Sequence, residues 1–306
     1  MATQSPAVRF SSLKPLIGLA ESDSGGGEFS MRFGFIGLGD LGNAMARMIP
    51  EPLCVFDVSA PAMESFRDRA RLATSAGEVG QHADLIGLCV RNDQDVCDVI
   101  SGPGGLIEHA APGTVIAVHS TVMPQTVIDQ AARAAEHGIF VFDAAVSGSA
   151  DDALQKRQVC MTGGDPEILA KARPLLDAFS RQIIPAGALG QGMVLKFANN
   201  LTTYLQLAAT VESYALVEAA GIDPQLLTNV MADNGNLTRI MKLYNELRTA
   251  HAAETRSAPF WIAQQALAGL AEKDLHHAIE AGAVHGVELR AADAVRTHFR
   301  AIITKG

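Results

Sequence analysis

The sequence has few cysteines and no long apolar run. Its 306 residues include 4 cysteines, none in a CxxC pair or at metal-ligand spacing with histidine. This scarcity argues against a disulfide framework and a metal site, and free thiols in a reducing compartment are the plain interpretation. No apolar run reaches the ~18 residues of a membrane span. We therefore expect a protein of the cytoplasm, or of the mitochondrial matrix if the source is eukaryotic, with no membrane partner.

Positive charge is scarce as well. Lys and Arg total 24 against 33 Asp and Glu, for a formal net charge of −9. That balance argues against a nucleic-acid-binding surface. Hydrophobic residues make up 48% and charged residues 19%, a composition typical of chains with packed cores. A chain of 306 residues is long enough for two domains.

Residues 1–30 differ in composition from the rest of the chain. The run 22–27 is Ser-Asp-Ser-Gly-Gly-Gly, and no acidic residue precedes Glu21. Runs rich in glycine and serine are typical of flexible linkers, so we interpret 1–30 as a disordered tail or linker. A mitochondrial transit peptide, which is also poor in acidic residues, is the alternative interpretation.

Short apolar runs alternate with amphipathic stretches from residue 31 onward. Strands that are apolar throughout and separated by helices indicate a parallel sheet covered on both faces. This pattern predicts an α/β fold of the Rossmann type, with a doubly wound parallel sheet that ends near residue 185. The runs that we expect to form strands are 32–36, 53–56, 84–90, 114–118 and 139–142.

The chain changes character after Gly192. Residues 194–220 contain no glycine or proline, and Gly221 stops the helical pattern. A helix of about 27 residues is roughly 40 Å long, which suits a helix that bridges domains or subunits. No strand pattern follows it. We therefore predict a Rossmann domain at 31–192, an all-α domain at 193–306 built on this helix, and a homodimer or homotetramer.

A GxGxxG motif follows the first predicted strand and opens a predicted helix. Gly37 permits a tight turn, Gly39 lets the backbone approach a pyrophosphate, and Gly42 lets helix and strand pack closely. The alternative is a glycine-rich turn that binds nothing. Because strand, helix and a later acidic residue are all present, we predict a dinucleotide at the helix N terminus, where N–H groups and the helix dipole favour negative charge. The predicted contacts are Gly37, Leu38, Gly39, Asp40, Leu41 and Gly42.

Asp57 is that acidic residue, and it predicts which dinucleotide binds. A carboxylate at the end of the second strand accepts hydrogen bonds from the adenosine ribose and repels a 2′-phosphate. No arginine or lysine lies between Asp57 and Glu64 to bind such a phosphate. We therefore predict NAD rather than NADP. The alternative, that Asp57 only caps the helix near Pro61, is disfavoured because Ser59 is better placed for that cap.

Five motifs stand in a fixed order along residues 31–306. They are Gly-Phe-Ile-Gly-Leu-Gly at 34–39, Ser-Thr-Val-Met-Pro at 120–124, Asp-Ala-Ala-Val-Ser-Gly-Ser at 143–149, Gly-Ala-Leu-Gly-Gln-Gly-Met-Val-Leu-Lys at 187–196 with Asn200 one turn on, and Lys-Asp-Leu at 273–275. In this order and spacing the chain resembles the β-hydroxyacid dehydrogenase family, which includes 3-hydroxyisobutyrate dehydrogenase and tartronate semialdehyde reductase. The resemblance implies NAD-dependent oxidation of a small 3-hydroxy carboxylic acid to its semialdehyde.

The resemblance also implies roles on the substrate side. Lys196 would be the catalytic acid/base, Asn200 would help to hold the substrate, and Ser147 and Gly148 would bind its carboxylate. The residue types suit this chemistry, because alcohol oxidation needs a base and a small turn lets N–H groups converge on an anion. Lys196 and Asn200 are four apart and share one helix face. The alternatives are a solvated surface lysine and an ordinary strand-to-helix turn.

On the cofactor side the resemblance implies four further contacts. Thr121 would lie near the nicotinamide, and Lys273 would close over cofactor and substrate from the helical domain. By the same alignment, Val90 and Arg91 would line the nicotinamide half of the dinucleotide. No metal is implied.

Four positions depart from the family pattern, and one of them, Leu41 in place of the common methionine, is an apolar exchange without obvious functional weight. Ala145 and Ser149 replace the proline and second glycine of Asp-Ala-Pro-Val-Ser-Gly-Gly, and Ser149 adds a side chain where the carboxylate should dock. The preferred acid can therefore differ from 3-hydroxyisobutyrate. His119 stands where aspartate is common, and we interpret it as structural.

Phe260 and Trp261, on the helix that leads to Lys273, are candidates to cap the substrate's side chain. Ordinary packing between the domains explains them equally well.

Single sequence features separate the competing functions. A 6-phosphogluconate dehydrogenase is expected to have His-Asn-Gly-type residues after its lysine, whereas residues 197–200 are Phe-Ala-Asn-Asn. An imine reductase of this fold typically lacks the lysine, and a non-enzymatic binding module is expected to lose the lysine or the glycine motif. The serious alternative is a reductase of a semialdehyde or glyoxylate, because the sequence does not set the direction of the reaction.

Overall fold

The computed structural model describes residues 31–250 and 258–305. The predicted tail or linker at 1–30 lies outside the described residues, and so do the side chains of Phe260 and Trp261. Eight strands form one sheet in the order β3-β2-β1-β4-β5-β6-β7-β8. They are β1 Phe33–Ile36, β2 Leu53–Phe56, β3 Arg71–Leu72, β4 Leu85–Leu88, β5 Val115–Val118, β6 Phe140–Ser147, β7 Gln158–Gly163 and β8 Ser180–Gly187.

Helices cover both faces of this sheet and make up the rest of the described chain. In the first part they are α1 Asp40–Met48, α2 Ala60–Glu64, α3 Ala76–His82, α4 Asp93–Ser101, α5 Leu106–His109, α6 Pro124–Ala135, α7 Ala150–Leu154 and α8 Pro166–Leu176. In the second part they are α9 Gln191–Ala219, α10 Pro224–Asp233, α11 Arg239–Ala250, α12 Ala258–Val284 and α13 Arg290–Lys305. The fold is therefore the predicted Rossmann-type α/β domain followed by helices.

The sheet is mostly parallel, and the expectation of a wholly parallel sheet is wrong at one pair. β7 runs antiparallel to β6, whereas the other neighbouring strands are parallel. The reason is the short connection 148–157, which holds only α7. A parallel return needs a crossover of about a dozen residues or more, so this connection can only turn the chain back.

Two apolar layers hold the sheet, one on each face. β1, β4 and β5 are buried along their whole length, as expected for strands covered on both sides.

His119 lies inside one layer, parallel to the Phe35 ring and edge-on to Phe179, and its Nδ1–H donates to the Ala144 carbonyl at 2.8 Å. Burial lowers the pKa of His119 to about 4, so the ring is neutral at pH 7. This environment agrees with a structural role.

The long helix α9 joins the sheet to the helical part. Its first turns pack on β6, β7 and β8, and it also packs against α10, α11, α12 and α13. A separate apolar cluster fills the helical part around Tyr204, Leu275 and Phe299. Residues 31–306 form a single unit by their contacts, so the predicted boundary at 192 stays a prediction. Within 31–250 and 258–305, none of the helices has the length and apolarity to span a bilayer.

Candidate active site

The glycine motif forms the tight turn between β1 and α1. Gly37 has a φ of +91°, and an added Cβ would lie 2.1 Å from the Cys89 carbonyl oxygen. A Cβ on Gly42 would lie 2.0 Å from the Gly37 carbonyl oxygen, so helix and turn can pack only without a side chain there. Gly39, in contrast, faces open space and is the N-cap of α1. The open position lies where the free N–H groups of a helix N terminus attract a phosphate.

Asp57 lies beside this turn, directly after β2. Its carboxylate accepts hydrogen bonds from the Leu38 N–H at 2.6 Å and from the Ser59 N–H at 2.7 Å. Ser59 is the N-cap residue of α2, yet its hydroxyl makes no capping hydrogen bond. The carboxylate is therefore fixed at the edge of the glycine turn with oxygen lone pairs to spare. An open glycine, a helix N terminus and a fixed carboxylate together fit the pyrophosphate and adenosine ribose of a dinucleotide.

Val90 and Arg91 follow β4 and have different surroundings. The Val90 N–H donates to Ser120 Oγ at 2.7 Å, next to Thr121. Arg91 is exposed and pairs with Asp95 at 2.9 Å, and the charges of Asp95 and Asp57 both raise its pKa. Arg91 is therefore within electrostatic range of Asp57, and Val90 contacts the residue next to Thr121, the predicted nicotinamide contact.

Lys196 lies in the second turn of α9 and is partly buried. Burial is the main cause that lowers the pKa of its amine; the charge of Asp274 raises that pKa and the charge of Lys273 lowers it, and the net pKa is about 8. A free lysine titrates near 10.4, so this amine exchanges protons much closer to neutral pH than an exposed one. Such a shift is what a lysine needs to act as a general base.

Asp274 is the buried centre of the site. Its Oδ2 accepts the Asn200 amide at 2.7 Å and the Tyr204 hydroxyl at 3.0 Å, and its Oδ1 lies 3.1 Å from Lys273 Nζ. Lys196, Asn200 and Tyr204 succeed one another at four-residue intervals on one face of α9. The Asp274 carboxylate on α12 therefore links Asn200 and Tyr204 of α9 to Lys273.

Lys273 reaches from α12 to the Rossmann part. Its amine donates to the Thr121 carbonyl oxygen at 2.8 Å, in addition to its ion pair with Asp274. One turn later on α12, His277 packs on Phe197 and lies 3.8 Å from Asp93. Lys273 thus connects the residue predicted to lie near the nicotinamide with the Asp274 centre.

The turn 147–149 is fixed by its backbone conformation and by side-chain hydrogen bonds. Gly148 has a φ of +140°, a conformation that side chains disfavour. The Ser149 hydroxyl forms a capping box with Asp152 at the start of α7, and the Asn199 amide donates to Ser147 Oγ at 3.3 Å. The Ser149 hydroxyl donates to Asp152 at 3.0 Å, and the docking position of the substrate carboxylate stays a prediction.

Asp143 fixes the start of α9 against the sheet. This buried carboxylate on β6 accepts the Gly190 N–H at 2.7 Å and the Met193 N–H at 2.9 Å. Burial raises the pKa of Asp143 to about 6, which leaves it ionised at pH 7 despite its apolar surroundings. A carboxylate at a helix N terminus is stabilised by the free N–H groups and the helix dipole. The hydrogen bonds to Asp143 therefore fix the first turn of α9, and Lys196 lies in the next turn.

Sequence reasoning missed Asp143, Asp274 and Tyr204. Asp143 is an acidic residue inside an apolar strand, and Asp274 stands within a quoted motif, so both had a sequence signal. Tyr204 had only its four-residue spacing from Asn200. In the described ranges, no group of three or more His, Cys, Asp or Glu side chains is arranged to hold a metal ion.

Two family models match the chain. A family model described as the NAD binding domain of 6-phosphogluconate dehydrogenase matches residues 32–200. A second, described as NAD-binding of NADP-dependent 3-hydroxyisobutyrate dehydrogenase, matches residues 190–306. Together the two models span both parts of the described fold.

Two relatives and one solved structure are similar over most of their length. An uncharacterized oxidoreductase of Mycobacterium tuberculosis is 35% identical over 84% of this chain and 88% of its own. An NAD-dependent L-serine dehydrogenase of Pseudomonas aeruginosa is 31% identical over 89% and 92%. The crystal structure of a putative oxidoreductase from Mycobacterium avium superposes with a TM-score of 0.62 at 29% identity, over 90% and 99% of the chains. The chain therefore belongs to the β-hydroxyacid dehydrogenase family and is an NAD-dependent oxidoreductase.

Proposed function

We propose that the chain oxidises a small 3-hydroxy carboxylic acid to its semialdehyde, with Lys196 as the general acid/base. The observation that carries this proposal is the partly buried Lys196 amine beside Asp274 and Lys273, with its pKa lowered to about 8. Bound NAD supplies the hydride acceptor for such a reaction. The residues that would hold it are those of the glycine turn together with Asp57, Val90, Arg91, Thr121 and Lys273.

The proton is handled by the chain's own residues. Neutral Lys196 takes the hydroxyl proton as the carbonyl forms, and the resulting ammonium is stabilised by the Asp274 carboxylate. Asn200 and Tyr204 donate to that carboxylate, so they keep it in place. In the reverse direction the Lys196 ammonium returns the proton to the forming alkoxide. Lys273 limits the pKa of Lys196, because two ammonium groups in one site repel each other.

The substrate carboxylate would be bound at the turn after β6. The backbone N–H groups around Ser147 and Gly148, with the Ser147 hydroxyl, offer donors to an anion. Asn199 donates to that hydroxyl, which links the turn to α9. Asn200 is proposed to help hold the substrate, and its amide also donates to Asp274. The L-serine of the named relative is one hydroxy acid of the required size.

A reductase is the second candidate, and the same amine favours it near neutral pH. Below pH 8 Lys196 is mostly protonated, which is the form that donates a proton to a carbonyl oxygen. A semialdehyde or glyoxylate would then be the substrate. Both candidates use the same residues. Oxidation would need the neutral amine and NAD, and reduction would need the protonated amine and NADH as the hydride donor.

The direction of the pH dependence tests both candidates. We expect kcat/KM for hydroxy acid oxidation to rise with pH up to about 8 and then level off, because the neutral amine is the base. For reduction, kcat/KM should fall above the same pH. Lys273→Met should move the midpoint to higher pH by removing a positive charge, and Asp274→Asn should move it to lower pH by removing a negative one. Initial rates between pH 6 and pH 10 measure these midpoints, and shifts in the same direction would contradict the assignment to Lys196.

Asp57 is proposed to select NAD over NADP. In Asp57→Asn the charge that repels a 2′-phosphate is lost while one acceptor oxygen remains. We expect the ratio of kcat/KM with NAD to that with NADP to fall by about tenfold to a hundredfold, the scale of one hydrogen bond to a charged group. Asp68→Asn, which removes an exposed charge away from the turn, is the control. An unchanged ratio in Asp57→Asn would contradict this account of selectivity.

The predicted homodimer or homotetramer and the cytoplasmic location stay predictions. Large apolar side chains are exposed along the end of α9 and on α10, with Leu216, Leu226 and Val230 each more than half exposed. Such surfaces in a helical part are usual where subunits meet. Light scattering tests the oligomer, and a species of only ~32 kDa would contradict it.

A further inference from the structure

The capping residue Asp152 determines the shape of the turn 147–149. Its Oδ2 accepts the Ser149 N–H at 2.9 Å and the Ser149 hydroxyl at 3.0 Å, and its side chain is only 3% exposed. A Cβ on Gly148 would lie 3.0 Å from Asp152 Cβ, so the turn packs directly on this side chain. A displacement of Asp152 would therefore displace the N–H groups proposed to bind the substrate carboxylate.

Two arginines pair with Asp152, and they come from different parts of the chain. Arg157 follows on the same connection, with its Nε 3.1 Å from Oδ1. Arg239 is the first residue of α11, and its guanidinium lies 3.1 Å from Oδ1 and 3.0 Å from Oδ2. The Ser149 N–H and both guanidinium groups hold the pKa of Asp152 well below its usual range. Asp152 is therefore ionised at neutral pH, and Arg239 links it to the helical part.

The start of α11 is itself tied to α9. Thr238, next to Arg239, donates from its hydroxyl to the Gln206 side-chain oxygen at 3.1 Å. Gln206 lies ten residues after Lys196 on the same helix, and Asn199 of that helix donates to Ser147. The contacts therefore form a closed ring that runs from α9 through α11 and Asp152 to the turn, and from the turn back to α9.

We propose that Arg239 is a positioning residue for the reaction: it holds the carboxylate-binding turn at a fixed distance from Lys196. The inference rests on the proposed function, since the turn must bind the substrate carboxylate. Arg239 lies outside the five motifs and touches none of the catalytic groups, so it acts only through Asp152. A single guanidinium nitrogen, Nη2, lies within hydrogen-bond distance of both carboxylate oxygens, so Arg239 contacts both sides of the Asp152 carboxylate.

Arg239→Ala tests the proposal. We expect KM for the hydroxy acid to rise on the order of tenfold, because the donors of the turn lose their fixed geometry. KM for NAD should change by less than about twofold, because the glycine turn is not touched. Arg239→Lys should recover part of the loss. Arg290→Ala is the matched control, since Arg290 is also 83% exposed and pairs with Glu288 at 2.8 Å, away from the turn.

A double-mutant cycle with Asp152→Asn separates positioning from general stability. If Arg239 acts through Asp152, the double variant should have a KM less than about twofold higher than that of Asp152→Asn alone. Independent, additive effects would overturn the proposal, and so would an equal rise in KM for the hydroxy acid and for NAD.

Hydrogen exchange gives a readout that needs no substrate. Amides of residues 147–153 should exchange faster in Arg239→Ala than in Arg290→Ala, and equal exchange would overturn the proposal. Absence of hydroxy acid turnover in the unmodified protein would contradict the proposed function instead. The two failures are therefore distinguishable.

Discussion

Lys196→Met is expected to lower kcat for hydroxy acid oxidation by about 10²- to 10⁴-fold, the usual contribution of a positioned acid/base. Methionine keeps much of the length and apolar character of the side chain but cannot carry a proton. NAD binding should be nearly unchanged, because the glycine turn and Asp57 lie on other elements. Steady-state rates together with NAD titration by fluorescence measure the two effects. Lys242→Met, which removes an exposed lysine on α11, is the control.

Lys196→Arg distinguishes proton transfer from simple electrostatics. The guanidinium keeps the positive charge but does not lose its proton in proteins. If Lys196 acts as the base, this variant should lose nearly as much activity as Lys196→Met. Substantial activity in Lys196→Arg would show that a positive charge suffices, and comparable kcat in Lys196→Met would remove Lys196 from the chemistry.

The parts that the sequence predicted well rest on local rules. Gly37 and Gly42 must be glycine because neighbouring backbone atoms leave no room for a Cβ, so the sequence motif by itself predicts the turn. β2 was predicted at its observed bounds because an apolar run of strand length lay between turn residues. The long helix was expected at 194–220 and begins at Gln191, since Gly190 has a positive φ and ends the preceding turn.

The parts that sequence reasoning missed depend on contacts between distant segments. Asn200 and Asp274 are 74 residues apart, and Asp143 and Met193 are 50 apart. Neither spacing produces a periodic pattern, so only the folded chain shows that these carboxylates accept hydrogen bonds from α9. Three strands were missed. β3 has only two residues, β7 mixes polar Gln158 and Thr162 with its apolar residues, and β8 is partly exposed and polar and includes Pro185.

Gly192→Ala is expected to produce the second large effect, through the anchor of α9. An added Cβ would lie 2.6 Å from Asp143 Oδ2 and 2.7 Å from the Met161 carbonyl oxygen. Backbone and a buried carboxylate cannot both move aside, so the first turn of the helix must shift away from the sheet. Overpacking of this kind lowers the free energy of unfolding by about 1–3 kcal/mol. A shift of about 1 Å at a catalytic group costs about 10²-fold in rate, so kcat should also fall.

Gly269→Ala makes the same chemical change at a position where we expect the protein to become more stable instead of less. Gly269 lies within α12, and no atom lies within 4 Å of its added Cβ. Alanine favours the helix over glycine, so this variant should gain about 0.5–1 kcal/mol of stability and keep its kcat. Urea denaturation and steady-state rates of both variants measure the contrast. If Gly192→Ala were as stable and as active as Gly269→Ala, close packing of α9 on the sheet would not be what positions Lys196.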